Sequence, residues 1–264
     1  MSILEIILLG LIQGFTEFFP VSSSGHLLIG KILLQTTEYG ILVDIILHLG
    51  TLLSIVIYWR FDLKNQIKDI CSGKLYLLHL LFLGSIPAAI IGLTLKDFIE
   101  INFFNSLGYA VFPFFLIINY FFMSIIIFIS KRYHDNVNTK ITYFHAILIG
   151  IAQAVALMPG ISRSGITIVA ALILGYSFKN ALKFSFYLAI PILLLSGLEI
   201  YNQYHLLIIN DGLIPILIIG FLSSSIFGYF ILTILNKIII KQKYWYFSVY
   251  CFLIFITLTI YNYG

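Results

Sequence analysis

Charged residues are scarce in this sequence. Asp, Glu, Lys and Arg make up 10% of its 264 residues and hydrophobic residues 61%, whereas an average soluble domain has about 25% and 45–50%. Such a composition excludes a water-soluble globular fold, because too little polar surface is present to cover the apolar atoms. Apolar runs such as 112–130 and 245–261 approach the roughly 20 residues that a helix needs to cross a bilayer. The sequence therefore predicts an all-α polytopic membrane protein.

Cysteine is also rare, since Cys71 and Cys251 are the only two. One lies in a basic loop and the other inside an apolar run, which excludes a disulfide framework and a thiolate metal site. The formal net charge of +4 does not indicate a nucleic-acid partner. Lys and Arg lie in short loops between apolar runs, where membrane topology accounts for them.

The hydrophobic pattern divides the chain into long and interrupted apolar segments. Two segments, at about 2–37 and 143–177, contain clusters of polar residues and glycines. Six other segments are long enough to be full transmembrane helices. These six lie at about 41–59, 77–95, 110–130, 184–200, 212–235 and 244–262.

Loop charges predict how these segments cross the bilayer. Lys and Arg concentrate in the loops around 60–74, 131–140 and 237–243, which places these loops in the cytoplasm. Lys179 and Lys183 also require the cytoplasmic side, so segment 143–177 must return to the face from which it entered. The same parity makes segment 2–37 a second re-entrant helix-loop-helix, which enters from the opposite face. We expect a single integral membrane domain over 1–264.

An internal repeat supports this arrangement. A shift of 140 residues superposes the polar and glycine positions of segment 2–37 on those of segment 143–177. Chance similarity between two Gly/Ser-rich segments is the alternative. Two similar segments that enter from opposite faces form an inverted-topology repeat, in which interrupted helices meet near the midplane and form a binding site. We expect repeat 1 at about 1–105 and repeat 2 at about 143–264. The superposed pairs are Gly10 and Gly150, Gln13 and Gln153, Ser22 and Ser162, Ser24 and Ser164, and Gly25 and Gly165.

The first re-entrant segment carries several chemically active side chains. Gln13 and Glu17 are four residues apart and share a face of a helix. Pro20 then breaks the helix, and the run Ser22–Gly25 predicts a turn that is rich in hydroxyls and backbone N–H groups. His26 follows near the start of the next helix. We expect a polar bowl inside the membrane.

The second segment adds a cation to a similar pattern. Pro159 and Gly160 are followed by Ser162, Arg163 and Ser164, and then by an apolar helix. The planar guanidinium fork of arginine suits phosphate oxygens, and exposed N–H groups at a helix N-terminus add a further anion site. The segment therefore favours a phosphate ligand.

Structural alternatives remain open for these residues. Glu17 and Arg163 could form only an ion pair between the repeats, and small hydroxylated residues commonly mediate helix packing in membranes. Asp44 and His48, four residues apart in the next span, either line the cavity or hydrogen-bond a neighbour. For these two we favour the supporting role.

Both segments resemble the signatures of the BacA-type undecaprenyl pyrophosphate phosphatases. Members typically have an acid or amide, three residues, Glu, then Pro-Val-Ser-Ser-x-Gly-His, and later Pro-Gly-x-Ser-Arg-Ser-Gly. Here these patterns are Gln13 to Glu17, Pro20 to His26 and Pro159 to Gly165. Residues 44–52, 86–92 and 184–191 also look like the family, so the resemblance covers the whole chain.

The resemblance implies hydrolysis of undecaprenyl diphosphate to undecaprenyl phosphate and inorganic phosphate. This reaction recycles the lipid carrier of cell-wall peptidoglycan, and abundant enzyme confers bacitracin resistance. The implied location is the bacterial inner membrane, with the active site opening to the periplasmic side. A divalent metal, Mg²⁺ or Ca²⁺, is also implied, and a homodimer is compatible with the family.

The resemblance also assigns roles to residues. Glu17 is the metal or water-activating carboxylate, Ser23 the candidate nucleophile, His26 its base or a proton donor, and Arg163 the phosphate clamp. Gln13 stands where many relatives have Glu, so we expect it to be a weak metal ligand. The remaining phosphate-binding positions are Ser22, Ser24, Gly25, Ser162, Ser164, Gly165 and Thr167.

Two alternatives concern mechanism and function. Either Ser23 attacks phosphorus directly, or a metal-activated water attacks with Glu17 as the key group. The alternative function is a transporter or flippase of the polyprenyl phosphate carrier, because inverted repeats are typical of transporters. A Ser/His pair beside Arg and Glu favours hydrolysis.

Overall fold

The protein is all-helical throughout the part that the structure describes. In this computed structural model that part comprises residues 1–36, 40–99, 108–133, 140–200, 212–240 and 243–263, and it contains no strand. The helices are α1 (Ile3–Thr16), α2 (Ser23–Leu34), α3 (Gly40–Tyr58), α4 (Arg60–Cys71), α5 (Tyr76–Ile99), α6 (Gly108–Ile129), α7 (Tyr143–Val155), α8 (Arg163–Ile173), α9 (Phe178–Gly197), α10 (Leu213–Ile240) and α11 (Tyr246–Tyr263).

Six of these helices are long and apolar enough to span a bilayer, which confirms the class predicted from composition. Their apolar windows are Ile41–Tyr58, Tyr76–Thr94, Phe114–Tyr133, Phe178–Gly197, Leu213–Leu235 and Tyr246–Tyr263, with mean hydropathy from 1.4 to 2.2.

One span begins earlier than predicted, because α9 starts at Phe178 rather than near residue 184. Lys179 and Lys183 therefore lie inside the helix instead of in a loop. Long lysine side chains tolerate such positions, because their stems pack on apolar surface while the ammonium groups extend toward water. The Lys183 ammonium lies 5.6 Å from the centroid of the Tyr187 ring.

The two interrupted segments form helix–turn–helix hairpins, α1–α2 and α7–α8. These four helices have 14, 12, 13 and 11 residues. At about 1.5 Å per residue they extend roughly 16–21 Å, which is too short to cross a hydrocarbon core of about 30 Å. Helix α1 begins with a capping box formed by Ser2 and Glu5. Re-entry into the membrane and the inverted orientation of the hairpins stay predictions.

The two ends of the α7–α8 hairpin are tied together by a buried tyrosine. The Tyr176 hydroxyl lies 2.5 Å from His145 Nδ1 and accepts a hydrogen bond from the Thr142 amide at 3.3 Å. Burial raises the pKa of the Tyr176 phenol. His145 of α7 therefore contacts a residue that follows the end of α8.

The chain divides into two compact units. The first unit comprises residues 1–18, 26–75 and 189–237. Its core includes Ile6, Leu9, Leu27, Val43 and Leu47. Glycines allow α10 to approach very closely: a Cβ on Gly10 would overlap the Ser223 hydroxyl, and one on Gly14 would lie 2.8 Å from the Gly228 amide nitrogen.

The second unit comprises residues 19–25, 76–188 and 238–264. Helix α7 packs on α5, and a Cβ on Gly150 would overlap the Gly84 carbonyl. The turn 19–25 that follows α1 therefore belongs to this unit, together with α7, α8 and α11.

Candidate functional site

In the first unit, the end of α1 presents an amide and a carboxylate on one face. Helix α1 ends at Thr16, and Glu17 is its C-cap. Gln13 is fully buried and Glu17 nearly so. Gln13 Nε2 donates to Glu17 Oε2 at 3.1 Å and to Thr51 Oγ1 of α3 at 3.4 Å. The predicted shared face is confirmed.

Helix α3 adds an imidazole to this cluster. His48 Nε2 lies 3.6 Å from Glu17 Oε2, and His48 Nδ1 lies 2.6 Å from the Asp44 carbonyl oxygen. The Asp44 carboxylate pairs with the buried Lys31 ammonium of α2 at 2.6 Å. Of the two readings that the sequence left open for Asp44 and His48, contact with neighbours is confirmed.

In the second unit, the serine turn, residues 22–25, contains one residue with a left-handed backbone conformation. Ser22 adopts a φ of 64°, a left-handed conformation that costs a non-glycine residue about 1–2 kcal/mol. Its hydroxyl accepts from the Gly25 amide at 3.3 Å and lies 3.3 Å from Ser24 Oγ. A Cβ on Gly25 would lie 2.6 Å from the Tyr120 hydroxyl. Ser22 therefore caps α2, and only glycine fits at position 25 without rearrangement.

The start of α8 repeats this arrangement. Ser162 caps α8, because its hydroxyl accepts from the Gly165 amide at 3.1 Å, and it lies 3.2 Å from Ser164 Oγ. Gly160 supplies the positive φ, 91°, two residues before the cap. In both turns, therefore, a serine hydroxyl accepts a hydrogen bond from the amide of the glycine three residues later.

These two turns meet within the second unit. The hydroxyls of Ser162 and Ser164 donate to the Phe19 carbonyl oxygen at 3.5 and 3.3 Å. A Cβ on Gly165 would lie 3.0 Å from Pro20 Cβ, and the Cys251 thiol donates to the Pro20 carbonyl at 3.5 Å. The structure therefore joins the two motifs that the sequence singled out.

Ser23 and Arg163 occupy equivalent places, since each is the first residue of its helix. Both are half-buried rather than sealed in the core. His26 lies one turn after Ser23 on α2, as the proposed base would require. Backbone N–H groups in the first turn of a helix, together with a guanidinium, favour an anion.

Thr167 is engaged in packing. Its hydroxyl donates to the Arg163 carbonyl at 2.8 Å and lies 2.6 Å from Ser185 Oγ of α9. These bonds fix the first turn of α8, on which Arg163 sits. Phosphate contact by Thr167, like the roles of the other candidate residues, stays a prediction.

The chemistry of a hard divalent cation fits the end of α1. Gln13 Oε1 is buried and has no hydrogen-bond partner among the described residues, and the Glu17 carboxylate lies beside the same amide. Mg²⁺ and Ca²⁺ prefer oxygen ligands, and Mg²⁺ commonly uses one or two protein oxygens together with phosphates and waters. The described residues contain no group of three or more His, Cys, Asp or Glu suited to a metal. Any metal held here would need additional ligands from substrate or water.

Sequence reasoning missed the Lys31–Asp44 pair and the contact from Thr51. A lysine and an aspartate within apolar segments are a usable signal, because such charges usually pair. Their pairing with each other was not predictable from spacing, since it depends on how α2 packs on α3.

The chain is similar to known proteins over nearly its full length. Residues 6–257 match the model of the family described as bacitracin resistance protein BacA. A relative from Carboxydothermus hydrogenoformans named undecaprenyl-diphosphatase is 35% identical, with 98% of this chain and 97% of the relative covered. A protein of the same name from Methanococcus vannielii is 38% identical, with 95% and 96% covered. A third, from Elusimicrobium minutum, is 37% identical, with 95% and 94% covered.

Proposed function

The chain belongs to the family of bacitracin resistance protein BacA, and from this membership we propose that it is an undecaprenyl-diphosphatase. The reaction releases the terminal phosphate of undecaprenyl diphosphate and returns undecaprenyl phosphate to the synthesis of cell-wall polymers. Increased recycling of the carrier is also the proposed basis of bacitracin resistance.

The observation that carries this proposal is the meeting of the two motif turns. The hydroxyls of Ser162 and Ser164 hold the Phe19 carbonyl, which joins the serine turn to the start of α8. Arg163 and the first-turn N–H groups of α8 would bind phosphoryl oxygens. Phosphoryl transfer depends mainly on positioning and on neutralising charge over these oxygens, and this arrangement provides both.

Among the three consecutive serines, we assign Ser23 as the nucleophile. Ser23 matches the second serine of the family pattern Pro-Val-Ser-Ser-x-Gly-His, and it begins α2 three residues before His26. In the first step a bond forms between Ser23 Oγ and the terminal phosphorus. The bridging P–O bond breaks, undecaprenyl phosphate leaves, and His26 takes the hydroxyl proton. Water then cleaves the Ser23–phosphate bond and releases inorganic phosphate.

Glu17 and Gln13 would hold the divalent cation that the family resemblance implies. When bound, such a cation supplies charge neutralisation at phosphoryl oxygens. Gln13 offers a neutral oxygen where a second carboxylate would bring charge, so we propose a low metal affinity. Isothermal titration of the purified protein with Mg²⁺ and Ca²⁺ tests this directly, and Gln13→Glu should bind more tightly.

The polyprenyl chain would lie in the lipid, against the apolar outer surfaces of the long helices, while the diphosphate reaches the polar turns. We propose that the site opens to the outer face of the cytoplasmic membrane. In a Cys71→Ser background, cysteines introduced at Ser72, in a predicted cytoplasmic loop, and at Gly212, in a predicted external one, test the orientation with an impermeant maleimide. If position 72 is labelled in intact cells and position 212 is not, the predicted orientation is wrong.

The deciding experiment is phosphate release by purified protein in detergent, with undecaprenyl diphosphate and a divalent cation. We expect equal amounts of inorganic phosphate and undecaprenyl phosphate. Detergent abolishes the second compartment, so a pure transporter would release no phosphate there. If the folded protein releases no phosphate but moves the carrier lipid across liposome membranes, the proposed hydrolase activity is wrong and transport is the function.

A further inference from the structure

Helix α4 has no buried residue, although it carries large apolar side chains. Ile67, for example, is 59% exposed. A helix of 12 residues is marginally stable in water by itself, because most helical stability in proteins comes from the packing of an amphipathic face. The apolar side chains of α4 are therefore available to a partner other than the core of the protein.

The sequence of α4 separates apolar side chains from cations. The apolar stripe consists of Leu63, Ile67 and Ile70, which are four and three residues apart and share one face of the helix. A cationic stripe lies directly beside it, while Asn65 and the two aspartates of the helix lie away from the apolar stripe. An apolar face bordered by Lys and Arg is typical of a helix that lies in the plane of a membrane surface. The cationic stripe consists of Arg60, Lys64 and Lys68.

The cations of this stripe are not neutralised by carboxylates of the protein. Within the described ranges, Lys64 and Lys68 take part in no salt bridge. The Arg60 guanidinium donates to the Ile57 carbonyl at 3.0 Å and lies 4.5 Å from the centroid of the Phe61 ring, and neither contact removes its charge. The cationic stripe therefore keeps its positive charge available to an external anion.

The place of α4 in the chain puts it at a bilayer surface. The apolar window of α3 ends at Tyr58, and that of α5 begins at Tyr76. Aromatic side chains, which concentrate at membrane–water interfaces, mark both points. The rings of Tyr58 and Trp59 have centroids 4.8 Å apart, and those of Tyr76 and Tyr143 have centroids 5.1 Å apart. Only Trp59 separates α3 from α4, so α4 begins at the level of the headgroups.

We propose that α4 is a membrane-surface helix that binds anionic phospholipids. The apolar stripe enters the boundary of the acyl chains, and the cationic stripe binds headgroup phosphates. A lysine or arginine at an anionic membrane surface changes the binding free energy by about 1 kcal/mol, which is about fivefold in affinity. The proposal does not depend on the proposed hydrolase activity, because no residue of α4 belongs to the candidate site.

The first test measures which face of α4 enters the lipid. Ile67→Cys and Asn65→Cys, each in a Cys71→Ser background, are labelled with an environment-sensitive fluorophore. The remaining cysteine, Cys251, is buried. The full-length proteins are reconstituted into vesicles of phosphatidylglycerol and phosphatidylcholine. We expect a lipid-borne quencher near the headgroups to quench the label at 67, and aqueous iodide to quench the label at 65.

Two outcomes of this test would overturn the proposal. Equal quenching of both labels by iodide would show that α4 extends into water. Protection of the label at 67 from both quenchers, together with cross-linking of Ile67→Cys between two chains, would show that a second copy covers the apolar stripe.

The second test measures the contribution of the cations. Full-length protein labelled at position 67 is titrated in uncharged detergent with a short-chain phosphatidylglycerol. Lys68→Gln should weaken this binding about fivefold, and the additional change Lys64→Gln should weaken it further. Lys74→Gln is the matched control with a much smaller expected loss, because the Lys74 ammonium already lies 3.2 Å from Asp69 Oδ1.

Phosphatidylcholine of the same chain length is the uncharged comparison in this titration. Equal affinities for the two lipids, or equal losses in Lys68→Gln and Lys74→Gln, would overturn the binding of anionic headgroups. Phosphate release is measured on the same proteins, and we expect it to be unchanged in the lysine variants. If the wild type releases no phosphate but prefers phosphatidylglycerol as described, the proposed hydrolase activity fails and the role of α4 stands.

Discussion

The hairpins α1–α2 and α7–α8 share a frame but differ in chemistry. Both begin their second helix with a serine cap and a Ser-x-Ser-Gly sequence, with capping distances of 3.3 and 3.1 Å. The differences lie at ionisable and nucleophilic positions. Residues 140 apart along the chain are Glu17 and Leu157, Ser23 and Arg163, His26 and Ile166, and Lys31 and Ala171. The comparison teaches that two hairpins with the same capping hydrogen bond can carry different ionisable groups: Glu17, His26 and Lys31 in the first, and Arg163 in the second.

The two buried glutamines, Gln13 and Gln153, also differ in their hydrogen bonds. Gln13 bonds to Glu17 and Thr51. For Gln153, which is 2% exposed, neither amide atom has a hydrogen-bond partner among the described residues. The position equivalent to Glu17 is Leu157, so the second hairpin lacks the carboxylate that Gln13 uses.

The largest expected effect concerns Ser23, which occupies in the first hairpin the position that Arg163 occupies in the second. If Ser23 is the nucleophile, Ser23→Ala should lower kcat on the order of a thousandfold or more. Loss of a hydrogen bond alone would cost about 0.5–3 kcal/mol, or at most about a hundredfold. Phosphate release and rapid quench with labelled diphosphate measure the two outcomes.

Ser24→Ala is the matched control for this change, since Ser24 is an exposed neighbour, and we expect a much smaller loss. Labelled phosphoserine should accumulate in a Glu17 variant that is slow in the second step. A Ser23→Ala protein with a tenth of wild-type kcat and no labelled wild-type enzyme would establish water as the nucleophile.

A smaller but clear loss is expected from Arg163→Lys, which keeps the charge of the second hairpin but removes the guanidinium fork. We expect kcat/KM to fall at least tenfold, or about 1.4 kcal/mol. Steady-state kinetics with undecaprenyl diphosphate measure this change. Wild-type kinetics in the lysine variant would reduce Arg163 to a structural cation. Lys183→Arg, on α9, serves as the control for a conservative change of a cation.

Substituting the two glutamines should have opposite consequences. Gln153→Leu removes an unpaired buried amide, so we expect the protein to be unchanged or more stable by about 1 kcal/mol. Gln13→Leu removes partners of Glu17 and Thr51 and should lower both stability and activity. Thermal unfolding in detergent compares the pair. Destabilisation by Gln153→Leu as large as that by Gln13→Leu would mean that the second amide has a partner after all.

The smallest expected effect concerns the two caps. Replacing either serine by glycine loses the capping hydroxyl, which costs a few tenths of a kcal/mol. At Ser22, however, glycine also relieves the cost of the φ of 64°, about 1 kcal/mol. Ser22→Gly should therefore be more stable than Ser162→Gly by about 1 kcal/mol in thermal unfolding. Equal unfolding temperatures would show that the Ser22 backbone carries no strain.

Much of the architecture follows from sequence alone. Apolar length gives the six spans, and the spacing from Gln13 to Glu17 gives their contact. Local rules suffice there because residues four apart on a helix are neighbours. The hydrogen bond by which Ser22 caps α2 was not predictable, because it accompanies a positive φ that no local rule assigns to serine. The pairing of Lys31 with Asp44 also depends on packing between helices.

The hydrogen bonds to the turn after α1 have an electrostatic consequence. The carbonyl oxygens of Phe19 and Pro20 carry partial negative charge and would repel a diphosphate nearby. Hydroxyl protons of Ser162 and Ser164 cover the first oxygen, and the Cys251 thiol covers the second. Each repulsive oxygen is therefore masked by a neutral donor, without adding a fixed charge to the membrane interior. Losing a donor would increase the negative potential around the carbonyl oxygen that it covers.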